Sequence, residues 1–380
     1  MGKKQIISEK APHPGVILKD VLSAHDLSQK DLAVAIGKTN AVISEILSGK
    51  RDINVEIALL LETTFEIPKA KEWMQYQSLY DIERLQETEK VKEQQKVIAD
   101  WKALSQFVKL ATIKKRLQWT SNMGDNLKKI YQLYQTDSIE NLKQKISSTL
   151  SAACFRKSGG LQVDLENLRT WILLVRLASQ DQTMSEKFSQ NRVPALIKDL
   201  HRVFLYNEDT INNLGITLKN YGIKLVVEKK LEKVPVDGYS FWDGENPTIA
   251  ITGRHSKLDK LAFTIFHELG HIVKHISAST DEDFLDLELN ANAGSELDRE
   301  KEANEYASFA IWNGVNYKSI FSSIPIPHNA SRTLRFLSDK YMISLSIIVG
   351  QYQHFLVERT KSPAYYSVCT KLIENVKGLK

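Results

Sequence analysis

The motif HELGH at residues 267–271 combines two histidines and a glutamate at a spacing that can perform metal chemistry. The surrounding residues 258–276 have apolar side chains at helical spacing. In a helix, His267 and His271 are four residues apart, so both imidazoles leave the same face and can bind one metal ion. Glu268 lies one step further round, where it can reach a metal-bound water without binding the metal. The pattern therefore predicts a Zn²⁺ site in which Glu268 is the catalytic base.

The alternative interpretation of this stretch is an amphipathic core helix that happens to carry two histidines. It is less favoured because two imidazoles and a carboxylate would be costly to bury among phenylalanine and isoleucine side chains without a partner. Gly270 inside the helix costs about 1 kcal/mol relative to alanine. This glycine therefore predicts that another element packs closely against the helix.

A third protein ligand is needed, because a catalytic zinc site has three protein ligands and one open position for water. Position 277 is not a histidine, so the third ligand should come from residues 295–312, a second predicted helix that Ser295 can cap. Glu300 shares one stripe of that helix with three alanines that can press on the first helix, so we predict Glu300 as the ligand and Glu302 as the runner-up. Asn304 is predicted to hold a ligand histidine in its binding tautomer.

Other polar side chains near the motif are candidates for supporting roles. His275 is predicted to be structural, because it follows the metal-binding end of the helix. The candidates for stabilising an oxyanion are Tyr239, His255 and Tyr306.

From residue 223 the apolar period changes from about 3.6 residues to about 2, as in strands. We predict strands at 223–228, 239–242 and 248–252, with turns at Asp237-Gly238 and Asp243-Gly244. These strands would form a short antiparallel sheet beside the metal helix, and an edge strand there could hold an extended peptide.

The composition sets broad limits on the class of protein. The chain has 380 residues, for which two or three domains are expected. Its net charge of +5 permits contact with nucleic acid without demonstrating it. Two cysteines far apart in sequence exclude a cysteine-rich zinc site and fit a reduced compartment. With no apolar run of membrane-spanning length and no signal-peptide core, the chain is predicted to be cytoplasmic, without a membrane partner.

The N-terminal residues 14–80 have the pattern of a series of short helices. Ser28 can cap the helix 29–36, which ends at Gly37, and Thr39 can cap a helix that ends near residue 47. Two such helices joined by a short turn containing glycine are typical of a helix-turn-helix. The alternative is a helical interaction domain that does not meet DNA.

Polar side chains on the outward face of this motif are predicted to contact double-stranded operator DNA. Asparagine can bind adenine with two hydrogen bonds, an alanine methyl can contact a thymine methyl, and a helix N-terminus favours phosphate. The predicted DNA-binding residues are Gln29, Thr39, Asn40, Ala41, Ser44, Glu45, Lys50 and Arg51.

Residues 83–118 are rich in Glu, Lys, Gln and Leu, which predicts one long exposed helix. Its apolar stripe must pack within the chain or on a partner subunit; the stripe consists of Ile98, Trp101, Leu104, Phe107, Val108 and Leu110.

Taken together, these patterns predict a chain that is mainly α with a small α+β domain. The predicted parts are a five-helix domain at 1–82, a helical connector at 83–190 that is a candidate dimerisation region, a metal domain at 191–358 and a tail at 359–380.

Two family resemblances are carried by these residues. Residues 12–82, including His13-Pro14-Gly15 and the run from Trp73 to Tyr80, resemble the HigA-type antitoxins, lambda-repressor-like (XRE) proteins that regulate toxin–antitoxin operons as dimers. Residues 152–356 resemble the ImmA/IrrE family of zinc metallopeptidases, through segments 247–252, 263–271 and 300–307. The second resemblance implies a zincin-like domain with ligands at His267, His271 and Glu300, a catalytic carboxylate at Glu268, and a regulatory protein as substrate.

Three hypotheses follow for the whole chain. In the first, it is a DNA-bound regulator whose zinc endopeptidase cleaves a repressor, a cognate toxin or itself. Alternatively, it is an autorepressor or antitoxin whose metal domain senses or binds a partner without proteolysis. The third hypothesis is a protease whose helix-turn-helix serves only for docking. A homodimer is expected in the first two, because relatives of the N-terminal domain bind operators as dimers.

Overall fold

Five short helices form the N-terminal part of the chain, as predicted for a helix-turn-helix domain. In this computed structural model, residues 11–117, 119–154, 163–253, 256–276, 284–287, 294–324 and 330–378 are described. The chain divides into two compact units, Met1–Ala99 and Asp100–Lys380. The helices of the first unit are α1 (Pro14–Ala24), α2 (Gln29–Ala35), α3 (Asn40–Leu47), α4 (Val55–Phe65) and α5 (Ala70–Gln86).

Local sequence determines where these helices begin. Ser28 accepts from the backbone N–H of Asp31, whose side chain accepts in return from the backbone of Ser28, which completes a capping box. The side chain of Thr39 caps α3 by accepting from the backbone N–H of Val42, and that of Asn54 caps α4 by accepting from the backbone N–H of Ile57. Behind the caps lies a core of fully buried apolar side chains: Leu18, Leu32, Ile43, Ile46, Leu61 and Trp73.

The motif His13-Pro14-Gly15 joins α1 to the end of α3. The Nδ1 atom of His13 accepts a hydrogen bond from the Gly15 backbone at 2.9 Å and so caps α1. A Cβ on Gly15 would overlap the carbonyl oxygen of Ile46, so only glycine allows α1 to approach α3 this closely. The imidazole also packs against Tyr80 of α5, with ring centroids 4.9 Å apart.

The prediction of one long helix over residues 83–118 is wrong. Instead α5 ends at Gln86, and two further helices follow, α6 (Glu89–Ser105) and α7 (Leu110–Leu117). The chain turns between α6 and α7 because Phe107 and Val108 are buried there, and the backbone N–H of Lys109 donates to Thr170 at 2.8 Å. Helix propensity alone could not predict this turn, since tertiary burial decides it.

The apolar stripe of this region packs largely within the second unit. Leu104 and Val108 are fully buried and Leu110 is 7% exposed, whereas Ile98 remains 58% exposed. A partner subunit is therefore not needed to cover most of the stripe.

The second unit contains ten more α-helices and four strands among the described residues. They are α8 (Met123–Leu133), α9 (Ile139–Cys154), α10 (Leu165–Gln180), α11 (Val193–Tyr206), α12 (Thr210–Asn220), β1 (Lys224–Val227), β2 (Val236–Asp243), β3 (Asn246–Ile251), α13 (Leu258–Lys274), β4 (Phe284–Leu287), α14 (Gly294–Trp312), α15 (Tyr317–Ser322), α16 (Ala330–Tyr341) and α17 (Leu345–Thr360). None of the helices in these ranges combines the length and apolar character that a membrane crossing requires.

The four strands form one sheet in the order β1-β3-β2-β4. β2 pairs antiparallel with β3, as predicted, and also with β4, a strand that the sequence pattern does not predict; β1 pairs parallel with β3, so the sheet is mixed. β3 thus lies between β1 and β2 and runs parallel to β1 and antiparallel to β2. The turn predicted at Asp237-Gly238 is wrong: both residues lie inside β2, at an irregularity in its pairing with β4.

The sheet lies between α10 on one face and α13 on the other. On the α10 face, the Ser179 hydroxyl lies 2.7 Å from the Thr248 hydroxyl and donates to Asp243, also at 2.7 Å. On the other face, Ile249 and Ile251 of β3 join the core that contains Leu269 of α13. The alternation of side chains along β3 thus supports both helices.

The segment after α17 packs on the beginning of α13. Ile373 and Val376 belong to the main core, and the backbone N–H of Leu258 donates to the Glu374 carbonyl at 3.0 Å. The backbone N–H of Val376 donates to the Ser256 carbonyl at 2.8 Å. These backbone contacts fix the position at which α13 begins.

One buried asparagine holds this C-terminal segment in place. The Nδ2 atom of Asn207 donates to the Glu374 carboxylate and to the Asn375 carbonyl, each at 2.9 Å. Its Oδ1 atom accepts from the Thr210 hydroxyl at 2.8 Å and from the Lys377 backbone at 3.2 Å. All the hydrogen-bonding capacity of this amide is used within the fold.

We predict that Asn207→Ala lowers the free energy of unfolding of the second unit by about 2 to 4 kcal/mol, because it leaves several buried groups without partners. Chemical denaturation measures this change, with the exposed Asn212→Ala as the matched control. Asn207 has a φ of 47°, so Asn207→Gly separates lost hydrogen bonds from backbone strain. Full stability in both Asn207 variants would contradict the prediction.

Candidate metal centre and helix-turn-helix surface

The helix α13 carries its polar motif on a face that is almost completely buried. His267 is 3% exposed, and Glu268 and His271 are fully buried. The close neighbour predicted from Gly270 is α14: a Cβ at this position would lie 3.2 Å from the Cα of Ala303. Glycine therefore allows the two helix backbones to approach each other beside the motif.

The approach of α14 brings Glu300 to the two histidines. The Nε2 atoms of His267 and His271 are 3.0 Å apart. The Glu300 carboxylate lies 3.3 Å from Nε2 of His267 and 3.6 Å from Nε2 of His271. One ligand atom from each of the three residues lies within 4.8 Å of the others, a spacing that suits a single metal ion.

The hydrogen bonds on the far side of the rings show that this donor set fits a cation. Nδ1 of His267 is 3.0 Å from the Oδ1 atom of Asn304. An amide oxygen only accepts, so Nδ1 carries the ring proton and Nε2 presents its lone pair. Nδ1 of His271 is likewise engaged, 3.0 Å from Nδ1 of His275. Imidazole nitrogens and a carboxylate that converge in this way match the ligands that zinc prefers.

Glu268 faces the sheet at the irregular part of β2. A Cβ built on Gly238 would overlap the Glu268 carboxylate and lie 2.7 Å from its Cδ atom. The missing side chain of Gly238 therefore makes room for the buried acid. The local sequence predicts a turn at this glycine, because a short-range pattern cannot show what packs against a strand.

The runner-up ligand, Glu302, lies outside the three-residue cluster. Its carboxylate is 2.9 Å from Nε2 of His275 instead. His275, predicted as structural, is thus in direct contact with both Glu302 and His271. Its spacing of four residues from His271 is the pattern that could have indicated this contact, because such residues share a helix face.

Among the described residues, the two oxyanion candidates Tyr239 and Tyr306 have different surroundings. The Tyr239 hydroxyl accepts a hydrogen bond from Arg176 of α10 at 3.1 Å, on the opposite face of the sheet from α13. Tyr306 packs against Gly270, and burial raises the pKa of its hydroxyl to about 12. His255 lies outside the described residues, as does the side chain of Ser295, and α14 begins one residue earlier, at Gly294.

The residues predicted to bind DNA lie at the start of α2, along α3 and in the turns on either side of α3. Asn40, Ala41 and Ser44 are exposed, as are Thr39, Lys50 and Arg51. The Gln29 amide nitrogen donates to the Oδ1 atom of Asn40 at 3.0 Å, which joins the first residue of α2 to the first of α3. Arg51 forms an ion pair with Glu45 at 2.7 Å.

Comparison with known families agrees with the two units. Residues 18–71 match the Helix-turn-helix family HTH_3, and residues 219–318 match the IrrE N-terminal-like domain family, Peptidase_M78. The second match includes all three candidate metal ligands, His267 and His271 on α13 and Glu300 on α14. The chain is a helix-turn-helix protein with an IrrE-type peptidase-family domain.

Two relatives of known sequence each match about a fifth of the chain. Virulence-associated protein A' of Dichelobacter nodosus is 33% identical over 76 residues, which are 20% of this chain and 66% of that protein. Virulence-associated protein A of the same organism is 33% identical over 75 residues, or 74% of its length. The chain thus spans about two thirds of the first of these relatives.

Two solved structures are also similar over about a fifth of the chain. PA4674 of Pseudomonas aeruginosa, solved in complex with its operator DNA, is 32% identical, with coverage of 20% of this chain and 81% of that one and a TM-score of 0.19. An addiction module antidote protein of the HigA family from Coxiella burnetii is 26% identical, with coverage of 23% and 95% and a TM-score of 0.21.

We predict that Gly238→Ala in the Peptidase_M78 domain lowers the free energy of unfolding by about 1 to 3 kcal/mol, because the new methyl group must displace the Glu268 carboxylate or the strand. Thermal or chemical denaturation tests this. The matched control is Gly215→Ala in α12, where the added Cβ lies 3.9 Å from Leu225 and alanine favours the helix by up to about 1 kcal/mol. Equal stability changes in the two variants would show that Gly238 does not make room for Glu268.

Proposed function

We propose that the chain is a DNA-binding transcriptional regulator of the antitoxin or repressor type, whose second unit is a zinc-dependent endopeptidase that cleaves a regulatory protein. The observation that carries the enzymatic part is the convergence of His267, His271 and Glu300 beside the buried Glu268. The match to the IrrE N-terminal-like family supports it. The helix-turn-helix match and the exposed polar face of α3 support the regulatory part.

Different residues of the second unit would have different roles in peptide hydrolysis. His267, His271 and Glu300 would hold the zinc ion, and Asn304 would keep the His267 ring in the tautomer that binds through Nε2. When bound, a zinc ion polarises the scissile carbonyl and makes a water molecule more acidic. Glu268 takes the proton of that water and later delivers it to the leaving amine.

Burial restricts where the Glu268 carboxylate can lie, because this side chain is not exposed to solvent. The space beside Gly238 determines where the carboxylate lies. A small displacement of the base would reduce the rate, because proton transfer needs hydrogen-bond distance.

The Gln29–Asn40 pair supports base contacts by α3. Because Asn40 already accepts through Oδ1, its Nδ2 atom remains a donor on the outer side, and Gln29 keeps its Oε1 atom as an acceptor. One donor and one acceptor side by side match N7 and the N6 amino group of adenine in the major groove. Ser44 and Ala41 extend the exposed face, and Lys50 and Arg51 supply charge for the phosphates.

We propose that the regulator acts as a homodimer on an operator with two half-sites about one DNA turn apart, or a multiple of that distance. A cognate toxin or a repressor protein encoded nearby is the proposed peptide substrate. The proposed location is the cytoplasm, where operator DNA is present.

We predict that Glu268→Gln reduces cleavage of a protein encoded beside this chain by about 10² to 10⁴-fold while zinc content stays at the wild-type value, because the variant removes the base without removing a ligand. Mass spectrometry of the products and metal analysis measure the two quantities. Glu305→Gln, on the exposed side of α14, is the control. Unchanged regulation by Glu268→Gln, together with retained zinc, would favour a metal domain that senses or binds a partner without proteolysis.

We predict that Gln29→Ala combined with Asn40→Ala weakens operator binding by about 10- to 100-fold, since a good bidentate contact contributes about 1 to 3 kcal/mol of discrimination. A gel shift with the upstream region of the operon measures the affinity. Gln75→Ala, an exposed glutamine of α5, is the matched control. Equal affinity of the double variant and the wild type would remove base contacts from α3 and favour a docking role for this domain.

A further inference from the structure

Beyond the three ligands, a second histidine–glutamate pair connects α13 to α14. His275 follows α13 directly, with its Nδ1 atom 3.0 Å from Nδ1 of His271. Its Nε2 atom lies 2.9 Å from the Glu302 carboxylate. The His275 side chain is only 5% exposed, whereas Glu302 is 57% exposed. The contact therefore runs from the surface of α14 to the buried ring of His271.

The donors and acceptors along this chain can be assigned in one order. A carboxylate only accepts, so Nε2 of His275 donates to Glu302. A neutral His275 then has an unprotonated Nδ1 atom, which accepts from Nδ1–H of His271. His271 in turn keeps its lone pair on Nε2, the atom 3.6 Å from the Glu300 carboxylate. Glu302 thus determines, through His275, which nitrogen of His271 faces the metal centre.

The arrangement at the other histidine is shorter but equivalent. Asn304 of α14 accepts directly from Nδ1 of His267. Both histidines are therefore oriented by side chains of the helix that also carries Glu300. Hydrogen bonds of this kind fix ring orientation and raise the basicity of a ligand.

We infer that His275 and Glu302 are positioning residues that hold His271 in its metal-binding tautomer and orientation, an inference that rests on the proposed zinc site. Neither residue touches the reacting atoms. An exposed ion pair alone contributes little to stability. Here the histidine half is buried and its second nitrogen contacts a ligand, so its effect appears in metal affinity.

The main alternative is that Glu302 binds the metal itself. The distances do not favour this role, since Glu302 contacts His275 and is absent from the cluster of three ligand atoms within 4.8 Å. The two roles predict different effects on zinc affinity when the Glu302 and His275 variants are combined. A positioning Glu302 acts only through His275, whereas a ligand acts independently.

The experiment measures zinc affinity of the full chain by competition with a chromophoric chelator. We predict that His275→Ala weakens zinc binding by about 10- to 100-fold and that Glu302→Ala weakens it by a smaller factor. The double variant should be no weaker than His275→Ala alone, because the two residues act in series. Glu302→Gln should restore most of the affinity, since its amide oxygen also accepts. Glu305→Ala on the same helix is the control.

A spectroscopic measurement separates positioning from a general loss of structure. With Co²⁺ in place of zinc, the visible absorption bands of His275→Ala should shift, while circular dichroism of the metal-free protein matches the wild type. If His275→Ala does not fold, Glu302→Ala, whose side chain lies at the surface, carries the test alone.

Wild-type zinc affinity in both single variants would overturn the inference and leave the proposed function standing. Additive losses in the double variant would also overturn it, and would make Glu302 an independent ligand. Failure of the wild-type chain to bind zinc would overturn both the proposed function and the inference.

Discussion

The close approach of α13 and α14 at Gly270 and Ala303 is the constraint on which the candidate metal centre depends. One helix supplies both histidines and the other supplies Glu300 together with Asn304 and Glu302, so the distance between the helix backbones sets how closely these side chains of α14 approach the histidines. A side chain at position 270 would meet the backbone of Ala303 at 3.2 Å. Glycine and alanine allow the contact because they add little volume between the helices.

The rest of the second unit holds these two helices in place. The sheet supports α13 from one side, and its irregular strand β2 provides space for Glu268 at Gly238. The C-terminal segment fixes the beginning of α13 through backbone hydrogen bonds, and Asn207 anchors that segment in turn. The motif therefore lies on a helix that is fixed at its beginning and along two of its faces. Such rigidity suits a site in which ligand geometry must be maintained.

The first unit shows how much local sequence can determine. Its helix boundaries follow from Ser28, Thr39 and Asn54, whose side chains cap the helices independently of distant contacts. The long helix predicted over residues 83–118 failed for the opposite reason. Its residues have high helix propensity, but Phe107 and Val108 are buried at a turn that only the packing of the second unit explains.

The sequence alone indicated the two histidines of the candidate metal centre and the helix that carries the third candidate ligand, because the spacing of His267 and His271 and the stripe of Glu300 follow from helix periodicity. It also indicated, through Gly270, that a second helix would be close. Only the tertiary structure decided between Glu300 and Glu302, placed Gly238 against Glu268 and connected His275 to His271. Those contacts join residues from different elements, and their distances depend on how the helices and the sheet pack rather than on any local pattern.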